Sequence, residues 1–199
     1  MRYRTFPGTD ITASELGFGL WTLSTGWWGE KSDAEAVALM RAARDEHGIT
    51  FFDAADTYGD GRSERQLADA FRGRRSDVVI ATKIGYDIYD RQARVERRGQ
   101  SELPQRFDSD YMRFAVGQCL QRLETDYIDV LQLHNVKMEH VRDAAIWETL
   151  RELRREELRL VARPVRAATE RKQGGGREHA GSSQTATAHT VSFGAGSTL

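Results

Sequence analysis

The sequence predicts an α/β fold of the (β/α)8 TIM-barrel type in incomplete form. It comprises about four β/α units, an N-terminal β-hairpin and a disordered C-terminal tail. Three observations carry this reading. Short β-rich runs alternate four times with longer helical runs, a pattern that with right-handed crossovers builds either a doubly wound sheet or a (β/α)8 barrel. One run, Val78-Val79-Ile80-Ala81, is continuously apolar, as a parallel strand covered on both faces requires. A complete barrel takes ~250 residues, whereas periodicity here ends near Leu160 of 199 residues. The chain therefore divides into a partial barrel domain, residues 1–161, and a low-complexity tail, residues 162–199.

The elements follow in order. Arg2 to Phe6 and Ile11 to Ala13 flank Pro7-Gly8-Thr9-Asp10, whose turn chemistry predicts a hairpin that acts as a lid or plug. Glu15 to Gly19 reads as the first strand of the sheet and leads into an aromatic loop from Trp21 to Gly29. Ser32-Asp33 then caps a helix of good formers closed by Gly48. Ile49 to Asp53 is the second strand, followed by a loop from Ala54 to Arg62 and a helix from Ser63 to Phe71. Asp77 to Lys83 is the third strand, and a long polar loop runs from Gly85 to Phe107. Ser109 caps a helix through Leu123, Ile128 to His134 is the fourth strand, and Val141 to Leu158 the fourth helix. Leu158 to Val161 would be the start of any fifth strand. Beyond Arg163 the chain is rich in Gly, Ser, Thr, Ala and Arg, with too few large apolar residues to offset the entropy of ordering it.

Composition narrows the function classes. With 29 Lys+Arg against 30 Asp+Glu the formal charge is −1, which disfavours nucleic acid and anionic membranes as partners. No apolar stretch approaches the ~20 residues a bilayer requires, and the N-terminal MRYRTFPGTD lacks the apolar run of a signal peptide. The single Cys119 cannot form an internal disulfide. These features predict a globular, enzyme-like chain in a reducing, cytoplasmic setting.

Four residues stand at or just beyond the C-terminal ends of successive strands: Asp53 and Tyr58 after the second, Lys83 after the third and His134 after the fourth. In a barrel this is the catalytic rim, where the loops converge on the mouth. Singly, each has a plain structural role open to it: a turn cap, a loop aromatic, a solvated strand end, a hydrogen-bonded partner of Asn135. Together they have the order and chemistry that carbonyl reduction needs.

The stretch from Gly48 to Gly59, Gly-Ile-Thr-Phe-Phe-Asp-Ala-Ala-Asp-Thr-Tyr-Gly, followed by Ser63-Glu64, resembles the second-strand signature of the aldo-keto reductase family. Ile80-Ala81-Thr82-Lys83 and the run from Leu123 to His134 resemble its next two signatures. The likeness spans roughly Arg2 to Leu158. It implies NADPH-dependent reduction of an aldehyde or ketone, with Asp53, Tyr58, Lys83 and His134 catalytic and a small carbonyl compound as substrate. In that scheme Tyr58 is the general acid. Free tyrosine titrates near ~10 and is a sluggish donor without a nearby cation. Lys83 would be that cation, Asp53 would hold Lys83, and His134 would orient the carbonyl oxygen. The resemblance also places Leu20, Trp21 and Asp53 beside the nicotinamide and its ribose. Trp27 and Trp28 read either as a pocket wall or as packing of their loop on the barrel. Arg91, Arg94, Arg97 and Arg98 read as a solvated charge run, the other reading being a substrate cover.

The family's second barrel half would supply the residue that hydrogen-bonds the nicotinamide amide, the aromatic that stacks on its ring and the loop that grips the 2′-phosphate. The chain departs from that pattern near residue 157, as a truncation or frameshift would produce. An open half-barrel exposes strand edges, which favours aggregation or a homo-oligomer of halves completing one another, and places activity in question. The alternative reading is a non-catalytic cofactor-sensing or interaction protein built on a reductase half-barrel. A metal-dependent hydrolase is disfavoured because the five His include no closely spaced pair at a strand end, so no metal is expected. A Rossmann dehydrogenase is disfavoured because Gly17-Phe18-Gly19 is followed by Leu20-Trp21-Thr22, without the dinucleotide fingerprint.

Overall fold

The computed structural model describes residues 1–26, 29–90 and 103–156, and the backbone of the pair 189–190. Two strands, β1 (Tyr3–Thr5) and β2 (Thr12–Ser14), form the expected antiparallel hairpin with Arg4 opposite Ala13. Its turn is closed by the Phe6 amide donating to the Ile11 carbonyl at 2.9 Å and by the Thr9 hydroxyl donating back to the Phe6 carbonyl, also at 2.9 Å.

Four parallel strands follow in chain order: β3 (Leu16–Gly19), β4 (Phe51–Asp53), β5 (Val79–Ile84) and β6 (Val130–Leu133). The register puts Phe51 beside Val79, Asp53 beside Ala81, and Lys83 beside Gln132. Side chains alternate along a strand, so the sheet has two distinct faces. Phe52, Ile80 and Ile84 point to one, where they meet the helices in the main core. Phe51, Val79 and Ala81 point to the other, where Ile11 and Ala13 of the hairpin cover them together with Phe6 and Val130. The hairpin thus plugs the N-terminal half of the inner face and leaves the C-terminal ends of the strands clear.

The helices pack on the outer face. A short α1 (Trp21–Ser24) interrupts the aromatic loop, which the sequence reading treats as irregular throughout. Next come α2 (Asp33–Asp45), α3 (Arg62–Ala70), α4 (Ser109–Leu123), α5 (Met138–Arg142) and α6 (Ala144–Glu156). Ser32 caps α2 through a reciprocal pair: its hydroxyl accepts from the Glu35 amide, and the Glu35 carboxylate accepts from the Ser32 amide. Met40 of α2, Leu67 and Ala70 of α3, Met112, Val116 and Cys119 of α4, and Ile146 and Leu153 of α6 complete the core around Phe52 and Ile80.

Local boundaries differ from expectation for identifiable reasons. The cap of α4 is Asp108, not Ser109, because the extended Asp108 offers its carboxylate to the Tyr111 amide at 3.0 Å. The single fourth helix expected over 141–158 is two helices, broken at the extended Asp143, whose carboxylate takes the Ala145 amide at 2.9 Å. Helix α3 starts at Arg62, one residue before the expected Ser63, because Gly61 at φ +78° supplies its entry.

Within 162–199 only the backbone pair β7 (His189–Thr190) is described, and it lies antiparallel to β3 with Thr190 opposite Leu16. No strand was expected there. The remainder of that tail, Leu158 to Val161, the four arginines between 91 and 98, and Trp27 and Trp28 lie outside the described residues. The sheet order is β6-β5-β4-β3-β7, so among the described residues β6 is an open edge and the barrel is incomplete. Among the described residues no helix is long and apolar enough to cross a membrane.

Candidate active site

The four expected residues converge at the C-terminal end of the inner face. Asp53 is the last residue of β4 and shares that face with Phe51, while Lys83 shares the face of Val79 and Ala81 one step further along. The Lys83 ammonium donates to Asp53 Oδ2 at 2.8 Å and to the Ala54 carbonyl at 2.8 Å. It also lies 4.7 Å from the centroid of the Tyr58 ring. A part-buried cation pinned by one carboxylate and one carbonyl is thus held against an aromatic face.

Tyr58 is delivered by a tight turn. The Ala54 amide donates to the Ala81 carbonyl at 2.8 Å and the Asp56 amide to the Lys83 carbonyl at 3.1 Å, extending the strand pairing beyond β4. Gly59 follows at φ +61°, and a Cβ there would collide with the Ser24 carbonyl oxygen and lie 2.9 Å from Arg62 Cβ. Among the described residues the Tyr58 hydroxyl has no hydrogen-bond partner, which leaves it available to a ligand.

His134 follows β6, its amide donating to the Ile84 carbonyl at 2.9 Å. Its ring stands edge-on to Tyr58 with centroids 5.8 Å apart and to Tyr86 at 5.0 Å. Burial first, and the Lys83 charge second, push its pKa down to about 4, so the imidazole is neutral at neutral pH. The Thr57 hydroxyl lies 3.3 Å from its Nδ1. Behind it, Asn135 at φ +48° donates to the Tyr86 hydroxyl at 2.9 Å, and the Gln105 amide donates to the His134 carbonyl at 2.8 Å.

Leu20 and Trp21 separate. Leu20 is fully buried in the main core, and only its amide reaches the site, donating to the Asp53 carbonyl at 3.0 Å. Trp21 is 37% exposed.

Beneath the quartet lies a polar cluster that the sequence reading did not single out. Glu64, fully buried, accepts from Thr82 Oγ1 at 2.6 Å and from Arg122 Nε at 2.6 Å, and Arg122 also donates to the Tyr89 hydroxyl at 2.6 Å. Asp56 is fully buried, and among the described residues neither carboxyl oxygen has a hydrogen-bond partner. Desolvation first, then the Glu64 carboxylate, push its pKa up to about 8, and Arg122, the Thr57 amide and Lys83 offset this only in part. The turn position of Asp56 gave no hint of burial, whereas Ser63-Glu64 was visible as part of a motif. A cavity of about 440 Å³ lined by Asp87, Tyr89, Arg106, Tyr111 and neighbours includes none of the quartet.

Comparison with known proteins gives a consistent result. The chain is 32% identical over 136 residues to the aldo-keto reductase YhdN of Bacillus subtilis, covering 67% of this chain and 38% of that protein. It is 36% identical over 156 residues to the uncharacterized oxidoreductase YqkF of the same organism, covering 78% of this chain and 46% of that one. The aldo-keto reductase yakc [NADP(+)] of Schizosaccharomyces pombe is 32% identical over 129 residues, covering 64% of this chain and 35% of the relative. Among solved structures, the holo form of the aldo-keto reductase AKR11C1 from Bacillus halodurans superposes with a TM-score of 0.66 at 32% identity, over 79% of this chain and 48% of that one. The chain thus spans less than half the length of these relatives. Residues 15–157, which hold all four quartet residues, match the model of the Aldo/keto reductase family, and the chain belongs to that family.

Proposed function

We propose that the chain carries the carbonyl-reducing site of an NADPH-dependent oxidoreductase acting on aldehydes or ketones. The observation that carries this is the juxtaposition of Asp53, Lys83, Tyr58 and His134 on one face at the strand ends, with Lys83 fixed by Asp53 against the Tyr58 ring. The nicotinamide half of the cofactor fits the residues present. Trp21, 37% exposed, follows Leu20, whose amide donates to the Asp53 carbonyl, and Asp53, whose side chain is 32% exposed, uses only Oδ2 on Lys83 and leaves Oδ1 for a ribose hydroxyl. The phosphate preference is taken from the NADP(+) in the name of the yeast relative.

When bound, the cofactor supplies a hydride to the carbonyl carbon. The chain's own residues manage the oxygen. Tyr58 gives its hydroxyl proton to that oxygen as charge develops, and the Lys83 ammonium stabilises the phenolate left behind. Asp53 keeps the ammonium in place. His134, neutral, offers an N–H to the same oxygen without adding a competing positive charge. A cytoplasmic setting accompanies this reading, the lone Cys119 being buried and unpaired.

The test is a fluorescence titration of the purified chain with NADPH, followed by turnover of simple aldehydes. Saturable quenching, turnover by the wild type and its loss in Tyr58→Phe with cofactor binding retained are the expected results. Undiminished turnover by Tyr58→Phe refutes the assignment of the acid. Saturable binding without turnover favours the non-catalytic, cofactor-sensing reading, and no binding by folded protein overturns both.

A further inference from the structure

From the 3.3 Å contact between Thr57 Oγ1 and His134 Nδ1 we infer that Thr57 is a positioning residue, donating its hydroxyl proton to Nδ1 and so holding the imidazole proton on Nε2. His134 is held from several sides: its amide by the Ile84 carbonyl, its carbonyl by the Gln105 amide, and its ring by the edges of Tyr58 and Tyr86. A neutral imidazole has one N–H and one lone pair, and the hydrogen bond made by one nitrogen decides the character of the other.

Two arrangements are open to the pair. In one, the hydroxyl donates to the Nδ1 lone pair and the imidazole proton sits on Nε2. In the other, Nδ1–H donates to Oγ1, and the hydroxyl proton then has no acceptor among the described residues, since His134 is the one side-chain partner of Thr57 there. Each arrangement leaves one donor to water or a ligand, Nε2–H in the first and the hydroxyl proton in the second. The first makes Nε2 a donor, the character needed by a group that orients a carbonyl oxygen; the second would present that oxygen with a lone pair. The choice of the first arrangement rests on the reduction proposed above, while the contact itself does not.

The arrangement is economical in sequence. Thr57 and Tyr58 are neighbours on the turn that Gly59 closes, so the turn that delivers the proton donor also sets the tautomer of the second polar group.

The experiment is a long-range proton–nitrogen correlation spectrum of the ¹⁵N-labelled chain without cofactor at neutral pH, with His134 assigned by its loss in His134→Gln. A pyridine-like Nδ1 and a pyrrole-like Nε2 are expected in the wild type and in Thr57→Ser. Thr57→Val, which keeps shape and removes the hydroxyl, should lower the Nε2–H to Nδ1–H ratio about two- to tenfold, the worth of one hydrogen bond. Thr57→Ala serves if the valine variant loses amide dispersion. An Nδ1–H tautomer in the wild type overturns the inference, as does an unchanged ratio in the folded variant lacking the hydroxyl. Because no cofactor or turnover is involved, the spectrum decides the tautomer separately from NADPH binding and from turnover by Tyr58→Phe, so failure of the tautomer and failure of the reductase reading are told apart.

Discussion

Replacing Asp56 by asparagine should make the protein more stable at alkaline pH and remove the loss of stability that Asp56 contributes as pH rises. Asp56 is fully buried, and neither carboxyl oxygen has a hydrogen-bond partner among the described residues. Its pKa in the folded chain is about 8, against ~3.9 for an unperturbed aspartate. Proton counting gives the sign. Below about 4 both states hold the proton and the group is silent; between about 4 and 8 the folded state keeps a proton that the unfolded chain has released. Stability therefore falls as pH rises through that window and levels off above it. Every tenfold fall in proton concentration across the window weakens the folded state by about 1.4 kcal/mol. Integrating between pH 5 and pH 8 gives a loss of about 4 kcal/mol assigned to this one group. Asparagine keeps the shape, cannot ionise, and carries its own cost of about 1–3 kcal/mol if its amide finds no partner. The assay is urea denaturation followed by far-UV circular dichroism, on wild type and Asp56→Asn at both pH values. The wild type should lose several kcal/mol more than the variant on going from pH 5 to pH 8, with the variant the more stable of the two at pH 8. Equal pH dependences, or a variant destabilised at pH 8, would refute the reasoning.

Two further substitutions probe the frame around the quartet. Gly59→Ala forces a side chain into the left-handed region and onto the Ser24 carbonyl. It should cost at least about 1–2 kcal/mol, read as a lowered thermal midpoint, and an unchanged midpoint would show that the turn can relax. Arg122→Ala strands the buried Glu64 carboxylate and removes the partner of the Tyr89 hydroxyl. A loss of about 3–5 kcal/mol is expected in chemical denaturation, and less than about 1 kcal/mol would mean that water or another cation replaces the guanidinium.

Much of this molecule was legible because its signals are periodic. The continuous apolar run at 78–81 and the helical stripes around Met40, Leu67 and Val116 respond to burial, the strongest force favouring the folded chain, so sheet and helices follow. The quartet was legible for a related reason: strand ends are located once strands are, and Asp53, Lys83 and His134 fall on the inner face by alternation. What escaped were features set by individual polar groups. The break at Asp143 and the cap at Asp108 each depend on one carboxylate reaching one amide, and aspartate near a helix end is compatible with several boundaries. Leu20, which the resemblance places beside a cofactor, has its side chain in the core. The Thr57 contact joins residues 77 positions apart, a separation at which local pattern carries no information.

The carboxylate of Asp129 has a reach beyond its own surroundings. It accepts the Ile80 amide at 2.9 Å and the Arg75 guanidinium at 2.6 Å, occupying the place of a strand partner where β6 begins. Alternation makes strand alignment all or nothing: a slip of one residue between β5 and β6 would send Val130, Gln132 and His134 to the helix side and bring their neighbours inward. With β6 at the open edge, no second strand among the described residues corrects such a slip from the far side. Asp129 therefore acts as a locating peg: five residues upstream of His134, it selects which side of the sheet receives the imidazole.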